Sequence, residues 1–329
     1  MSSEFNNVKQ RFLPINESAL QGLEHETRIT DFLIINERGE HENNCLYHVY
    51  LIKHKETQVE YIIKAFDKRQ LPHYAESPYF KKGIEIIYNI NHPNISKYFG
   101  HFEDNLYCYF IMEYNNRGNL YNLWPKDKKK KISQKVCASI IKDIISGIYF
   151  LHNMKPPIIH RNIKPENIFI TKDLIAKIND YAWKSYIINN KYSYYKFESP
   201  IYYPPEKIYD GIYNEKGDIW CIGVLLFELL TLNIPFQGND IDTLKDNIRN
   251  VKIQWPKDIN NEAKDLIKKI LKKNPNERIS LEEMIKHPFI TKYYPDAEKC
   301  LIKPEEGVKY KPFIICKDEP KTWKSEKIV

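Results

Sequence analysis

HRNIKPEN (160–167) is the most specific stretch of the chain, and it stands first in an ordered series. After IFITKDLIAKI come NDYAW (179–183), YPPE (203–206), DIWCIG (218–223) and Arg278. Around the series the apolar residues keep helical spacing over 134–153, 218–232, 242–250, 262–273 and 280–288. The segment 218–232 is apolar nearly all round, which marks a helix inside a core. Its short length, with Glu228 inside it, argues against a membrane span. Ser280 and Glu283 are spaced as a capping box. Upstream of Arg117 the pattern changes to short β-rich runs at 31–35, 47–54, 59–66, 98–102 and 106–114, separated by polar segments. Phe80, Ile84, Ile87 and Tyr88 recur at spacings of three and four, so a helix is expected over Tyr79–Asn89. Strands first and helices after make an α+β plan in two lobes. The expected boundaries are an extension over 1–28, an antiparallel β-rich lobe over 29–114, a mainly helical lobe over 115–291, and a wrapping or mobile tail over 292–329.

Composition excludes several other classes. The 329 residues carry 42% hydrophobic and 28% charged side chains, within the globular range. Fifty Lys+Arg against 43 Asp+Glu give a net charge of +7, a mild excess that does not lead us to expect specific nucleic-acid binding. Cys45, Cys108, Cys137, Cys221, Cys300 and Cys316 form no CxxC pair and no Cys/His ligand set, so neither a disulfide framework nor a zinc site is expected. The N-terminal MSSEFNNVKQRF lacks an apolar signal region and no long apolar run follows, so an intracellular location, cytoplasmic or nuclear, is expected.

In order and spacing, the series from His160 to Arg278 resembles the eukaryotic protein kinase set: catalytic loop, metal-binding triplet, APE-type triplet, buried Asp-x-Trp helix and helix-capping Arg. The resemblance covers roughly residues 30 to 291, and YPPEKIYDGIYNEKGDIWCIGVLLFELLTLNIPFQG is most similar to the Aurora group of Ser/Thr kinases. It implies that Lys64 binds nucleotide phosphates, that Asn167 and Asp180 hold a divalent metal, and that Lys164 neutralises the transferring phosphoryl group. It also implies that Val49, Ile62, Met112, Glu113, Tyr114 and Phe169 surround the base, with Met112 as gatekeeper and Glu113 and Tyr114 in the hinge. Arg161 either holds a phosphorylated activation segment, as in the family, or is kept for structure.

Four positions depart from the family pattern. Asn162 stands where the family has its catalytic Asp, and a carboxamide cannot usefully accept a proton. Glu42, Asn44 and Tyr47 fall on the three glycine positions of the phosphate-cradling loop, with Gly39 as a displaced remnant if that loop carries an insertion. Gly83 occupies the place of the helix Glu that pairs with the lysine, and Glu85 lies about 200° round the helix from it. Ile62 replaces a small Ala above the base. The expectation is a pseudokinase: a scaffold or allosteric protein partner that binds ATP weakly with Mg or Mn. The alternative is an active but atypical Ser/Thr kinase in which Glu85 or Glu76 replaces the helix Glu. KDKKKK (126–131) reads as a solvated face or as a docking point for an acidic partner.

Overall fold

The computed structural model describes residues 31–37, 47–70, 86–88, 90–103, 107–125, 131–181, 200–305 and 314–315. The chain divides into two compact units, 1–114 with 307–329, and 115–306.

The first unit is built on a sheet. Strands β1 (Phe32–Glu37), β2 (Tyr47–His54), β3 (Glu60–Asp67), β4 (Tyr98–Glu103) and β5 (Tyr107–Glu113) pair antiparallel in the order β1-β2-β3-β5-β4. The period-2 alternation of aromatic and branched residues gives each strand two distinct faces. Phe32, Ile52, Tyr61, Ile63, Ala65, Phe99, Tyr109 and Ile111 form the core on one face. On β3 the alternation then turns Ile62 and Lys64 to the opposite face. Polar KETQ between β2 and β3 closes the turn, with Gln58 at φ 59° and the His54 N–H donating to the Val59 carbonyl at 2.9 Å. Residues 86–88 are helical, and the remainder of the helix expected over 79–89 lies outside the described residues, as do Glu42, Asn44, Glu76, Gly83, Glu85 and the extension 1–28.

The second unit is mainly helical. Helix α1 (Gln134–His152) starts at the Ser133 side-chain cap. Helix α2 (Pro205–Tyr209) precedes α3 (Glu215–Thr231), whose residues from Gly217 to Leu230 are all buried, as its all-round apolar sequence requires. Helices α4 (Ile241–Arg249), α5 (Asn261–Ile270), α6 (Leu281–Ile285) and α7 (Pro288–Thr291) follow. The Ser280–Glu283 capping box forms as its spacing predicts. A two-stranded hairpin, β6 (Ile168–Ile170) with β7 (Ala176–Ile178), is held to α1 by the Asp143 carboxylate, which accepts the Ala176 N–H at 3.0 Å.

The described parts of the tail make specific contacts. Ser146 Oγ donates to the Cys300 carbonyl at 2.6 Å, beside a 3-10 turn at Ala297–Cys300. Farther on, β8 (Ile314–Ile315) joins the first unit's sheet parallel to β4, opposite Gly100 and His101. Four of the cysteines, Cys108, Cys137, Cys221 and Cys300, are free thiols. Among the described residues no helix is long and apolar enough to cross a membrane.

Candidate active site

In the first unit, the strand register puts four of the expected nucleotide residues, Val49, Ile62, Lys64 and Met112, on one face. Val49 lies opposite Lys64, Lys64 opposite Phe110, and Ile62 opposite both Leu51 and Met112. Directly opposed residues share a face, so Val49, Leu51, Ile62 and Met112 make an apolar surface beside the Lys64 ammonium. Lys64 is 5% exposed. Its Nζ lies 4.8 Å from the centroid of the Tyr47 ring, a cation–π contact at the position where the family has a glycine. Glu113 falls on the other face. Its main chain donates to the Lys97 carbonyl at 2.9 Å, and its carboxylate accepts the Lys97 N–H at 3.2 Å. Tyr114 follows it, half-buried at the last position of the unit's first segment.

In the second unit, residues 160–167 form a loop anchored from below by Asp218 on α3. Asp218 Oδ2 accepts the His160 N–H at 2.8 Å and faces His152 Nε2 at 2.8 Å. Its Oδ1 accepts the Arg161 N–H at 2.9 Å and the Tyr213 hydroxyl at 3.0 Å. Complete burial works to raise the Asp218 carboxyl, but the hydrogen bond and charge of His152, with His160 and the Arg161 N–H, outweigh it and hold it below the usual range. The anchored backbone carries Arg161 at φ 66° and sets the rest of the loop.

His160 then ties the loop to the segment before Asp180. Its Nδ1 accepts the Asn162 N–H at 3.2 Å, so Nε2 carries the proton and donates to the Asn179 carbonyl at 2.9 Å. Asn179 Oδ1 accepts the Asp180 N–H at 2.7 Å, supporting Asp180 at φ 65°. Asn167 Nδ2 donates to the Asn162 carbonyl at 2.8 Å. Asn162 Nδ2 donates to Asp180 Oδ2 at 3.1 Å. A main-chain carbonyl and an ionised carboxylate only accept, so both amides are fixed with nitrogen toward these oxygens. Lys164 Nζ lies 3.9 Å from Glu166 Oε1, a loose pair. Phe169, half-buried on β6, bridges to Asn119.

Two further members of the series are buried. Arg278 donates from Nη1 and Nη2 to the two Glu206 oxygens, both at 2.7 Å, and stacks over the Trp220 ring 5.0 Å from its centroid. Tyr181 is fully buried.

The sequence of residues 47–290 matches the protein kinase domain family. The chain belongs to that family. Its relatives include Aurora kinases: one from Schizosaccharomyces pombe is 34% identical over 247 residues, 74% of this chain and 68% of that protein. Aurora kinase C of Mus musculus is 32% identical over 74% of this chain and 87% of its own length, and the Dictyostelium discoideum Aurora kinase is 32% identical with 63% of its length matched. Protein kinase domains in general bind ATP with a divalent metal.

The donor chemistry here fits such a metal. Asp180 and Asn167 carry side-chain oxygens suited to a hard cation that completes its shell with phosphates and water. Among the described residues no group of three or more His, Cys, Asp and Glu side chains could hold a metal alone. The sequence pointed to residues 160–167 and 180 but gave no role to Asn179, His152 or Tyr213. Nothing in their local pattern marks them, because they act through contacts between segments far apart in the chain.

Proposed function

We propose that this protein kinase domain is a pseudokinase, a scaffold or allosteric partner of another protein that binds Mg- or Mn-nucleotide weakly. The observation that carries the reading is the amide of Asn162. In a kinase the residue here orients the attacking hydroxyl and takes its proton, and an amide has no basicity for that step, whose loss costs about 10²–10⁴ in rate. The Asn162 amide is instead committed to Asp180.

Lys64 is the phosphate-binding residue, and Val49, Ile62 and Met112 supply the apolar surface for the base, with Glu113 and Tyr114 as the hinge that follows; Phe169 is the base-lining residue that the resemblance implies in the second unit. Asn167 and Asp180 would hold the metal, which when bound neutralises phosphate charge. Lys164 faces the transferring group. The Tyr47 ring against the Lys64 ammonium supports weak binding, because a phosphate must compete with it. The basic run 126–131 is the proposed dock for an acidic partner. Only its last residue, Lys131, is described, and it pairs with Asp258.

The test measures phosphate incorporation into a basic protein substrate by wild type, Asn162→Asp, and a variant also carrying Gly83→Glu, Glu42→Gly, Asn44→Gly and Tyr47→Gly. Wild type is expected to be silent and Asn162→Asp to recover little, since residues acting as one catalytic unit are strongly non-additive. Robust wild-type transfer abolished by Asp180→Ala would establish the alternative, an atypical Ser/Thr kinase.

A further inference from the structure

The basic run at 126–131 does not stand alone. Its last residue, Lys131, pairs with the Asp258 carboxylate, both side chains exposed. Asp258 lies two residues ahead of Asn260, whose side chain caps α5 by accepting the Ala263 N–H. Consecutive Cα atoms are about 3.8 Å apart, so Lys129 and Lys130 stay within roughly 8 Å of Lys131, near the entry to this helix, whatever their conformation. The helix and the loop after it carry Lys264, Lys268, Lys269, Lys272 and Lys273. The carboxylates of α5 are already engaged: Asp265 faces Lys269 at 2.7 Å and His287 at 2.9 Å, and Glu262 faces Lys292 at 3.2 Å. Lys268, Lys272 and Lys273 are exposed and pair with no carboxylate among the described residues. Lys264, one turn or about 6 Å along the helix from Lys268, lies over the Trp255 ring at 5.1 Å from its centroid. That ring packs edge-on against buried Phe227 at 5.8 Å, which fixes the platform under Lys264.

We propose that the run 126–131 and the lysines of α5 and its following loop, Lys264, Lys268, Lys272 and Lys273, form one docking surface for a protein segment rich in Asp and Glu. The inference rests on the reading of 126–131 as a dock and extends it to α5. Like charges crowded on one surface repel, and a polyanion that settles among them relieves that repulsion. Every cation in this set is a lysine, a point charge on a flexible stem. None is an arginine, whose fork takes a phosphate in two parallel bonds. Mobile point charges suit carboxylates spread along an extended chain. The surface also lacks an apolar wedge, since no large hydrophobic side chain of residues 252–273 is exposed. Without one, nothing here inserts into a bilayer as the apolar face of a membrane-surface helix does.

The experiment titrates a labelled polyglutamate peptide of about ten residues, roughly 33 Å when extended, with the full chain and reads fluorescence anisotropy at low and physiological salt. One variant carries Lys128→Gln, Lys129→Gln and Lys130→Gln, and a second Lys268→Gln, Lys272→Gln and Lys273→Gln. A control loses the same charge elsewhere in the second unit, through Lys172→Gln, Lys207→Gln and Lys245→Gln. Circular dichroism checks that each is folded. Wild type is expected to bind, less tightly as salt rises, and each of the first two variants to bind roughly tenfold more weakly, the order of three exposed ion pairs. The control should stay within about twofold, and arginine at 268, 272 and 273 should restore binding, since it keeps the charge. Weakening by the 128–130 changes alone would overturn the extension to α5 and leave the run as the dock. Weakening by the 268–273 changes alone would overturn the joint surface and the reading of the run. No binding by wild type, or equal weakening in the control, would overturn both. Phosphatidylserine-containing vesicles or a single-stranded DNA oligonucleotide bound more tightly than the peptide, and released by the same substitutions, would overturn the acidic segment as the occupant.

Discussion

Asp218 and Asp180 lie in the same helical unit, and their surroundings differ in kind. Asp218 is wholly buried, with two backbone N–H groups, a tyrosine hydroxyl and a histidine ring on its oxygens. Asp180 is half-buried, and one of its carboxylate oxygens accepts an amide N–H from Asn162, the residue that departs from the family pattern. The contacts that shape the loop over 160–167 are in place, and the position at which the resemblance implies a proton acceptor carries an amide.

The sharpest way to break this division is to remove each carboxylate. Asp218→Ala strands several buried donors and is expected to cost about 3–5 kcal/mol by denaturant unfolding. Asp180→Ala should cost under about 1 kcal/mol by the same measurement. Equal costs would erase the distinction between a shape-bearing and a chemistry-bearing aspartate.

Acid is the next lever. The folded Asp218 carboxyl sits below its unfolded value, so its contribution is full above the unfolded pKa, about 3.9, and is lost as pH falls through the folded pKa. Wild-type stability is expected to decline below about pH 4, more steeply than in Asp218→Asn. Parallel slopes would show that the acid sensitivity arises elsewhere.

Tyr47→Gly carries the comparison into the sheet. Removing the ring frees Lys64 from a contact worth about 0.5–2 kcal/mol, so ATP should bind roughly 2–30 times tighter by calorimetry. Weaker binding would mean that the ring supports the ligand. The smallest effect is expected from Ser280→Ala, which opens the α6 capping box for about 1 kcal/mol and should leave ATP binding unchanged.

The sheet and the long helices were legible because their apolar spacing runs over many residues. Strand β2 coincides with YHVYLIKH, and α3 with its all-round apolar run. The β6–β7 hairpin was not legible, since three-residue strands are too short to show a period. At the site, the motif order located Asn162, Asn167 and Asp180, and residue chemistry alone told that Asn162 cannot serve as a base. The bond from Asn162 to Asp180 was hidden, because it depends on a backbone turn that brings residues 162 and 180 within hydrogen-bonding reach. The ring of Tyr47 on Lys64 was hidden in the same way by strand register, although a bulky residue at a glycine position already marked the place.

Strand β8 gives the first unit a history in time as well as a shape. Its neighbour β4 ends at Glu103, and β8 begins at Ile314, so roughly 200 residues must be made between them. At about 5–20 residues per second, the outer edge of β4 waits on the order of 10–40 s for this partner while the whole helical unit is synthesised. Until then the β4 edge at Gly100 and His101 has no β8 to pair with, and an unpaired strand edge is where a nascent chain is open to the wrong neighbour.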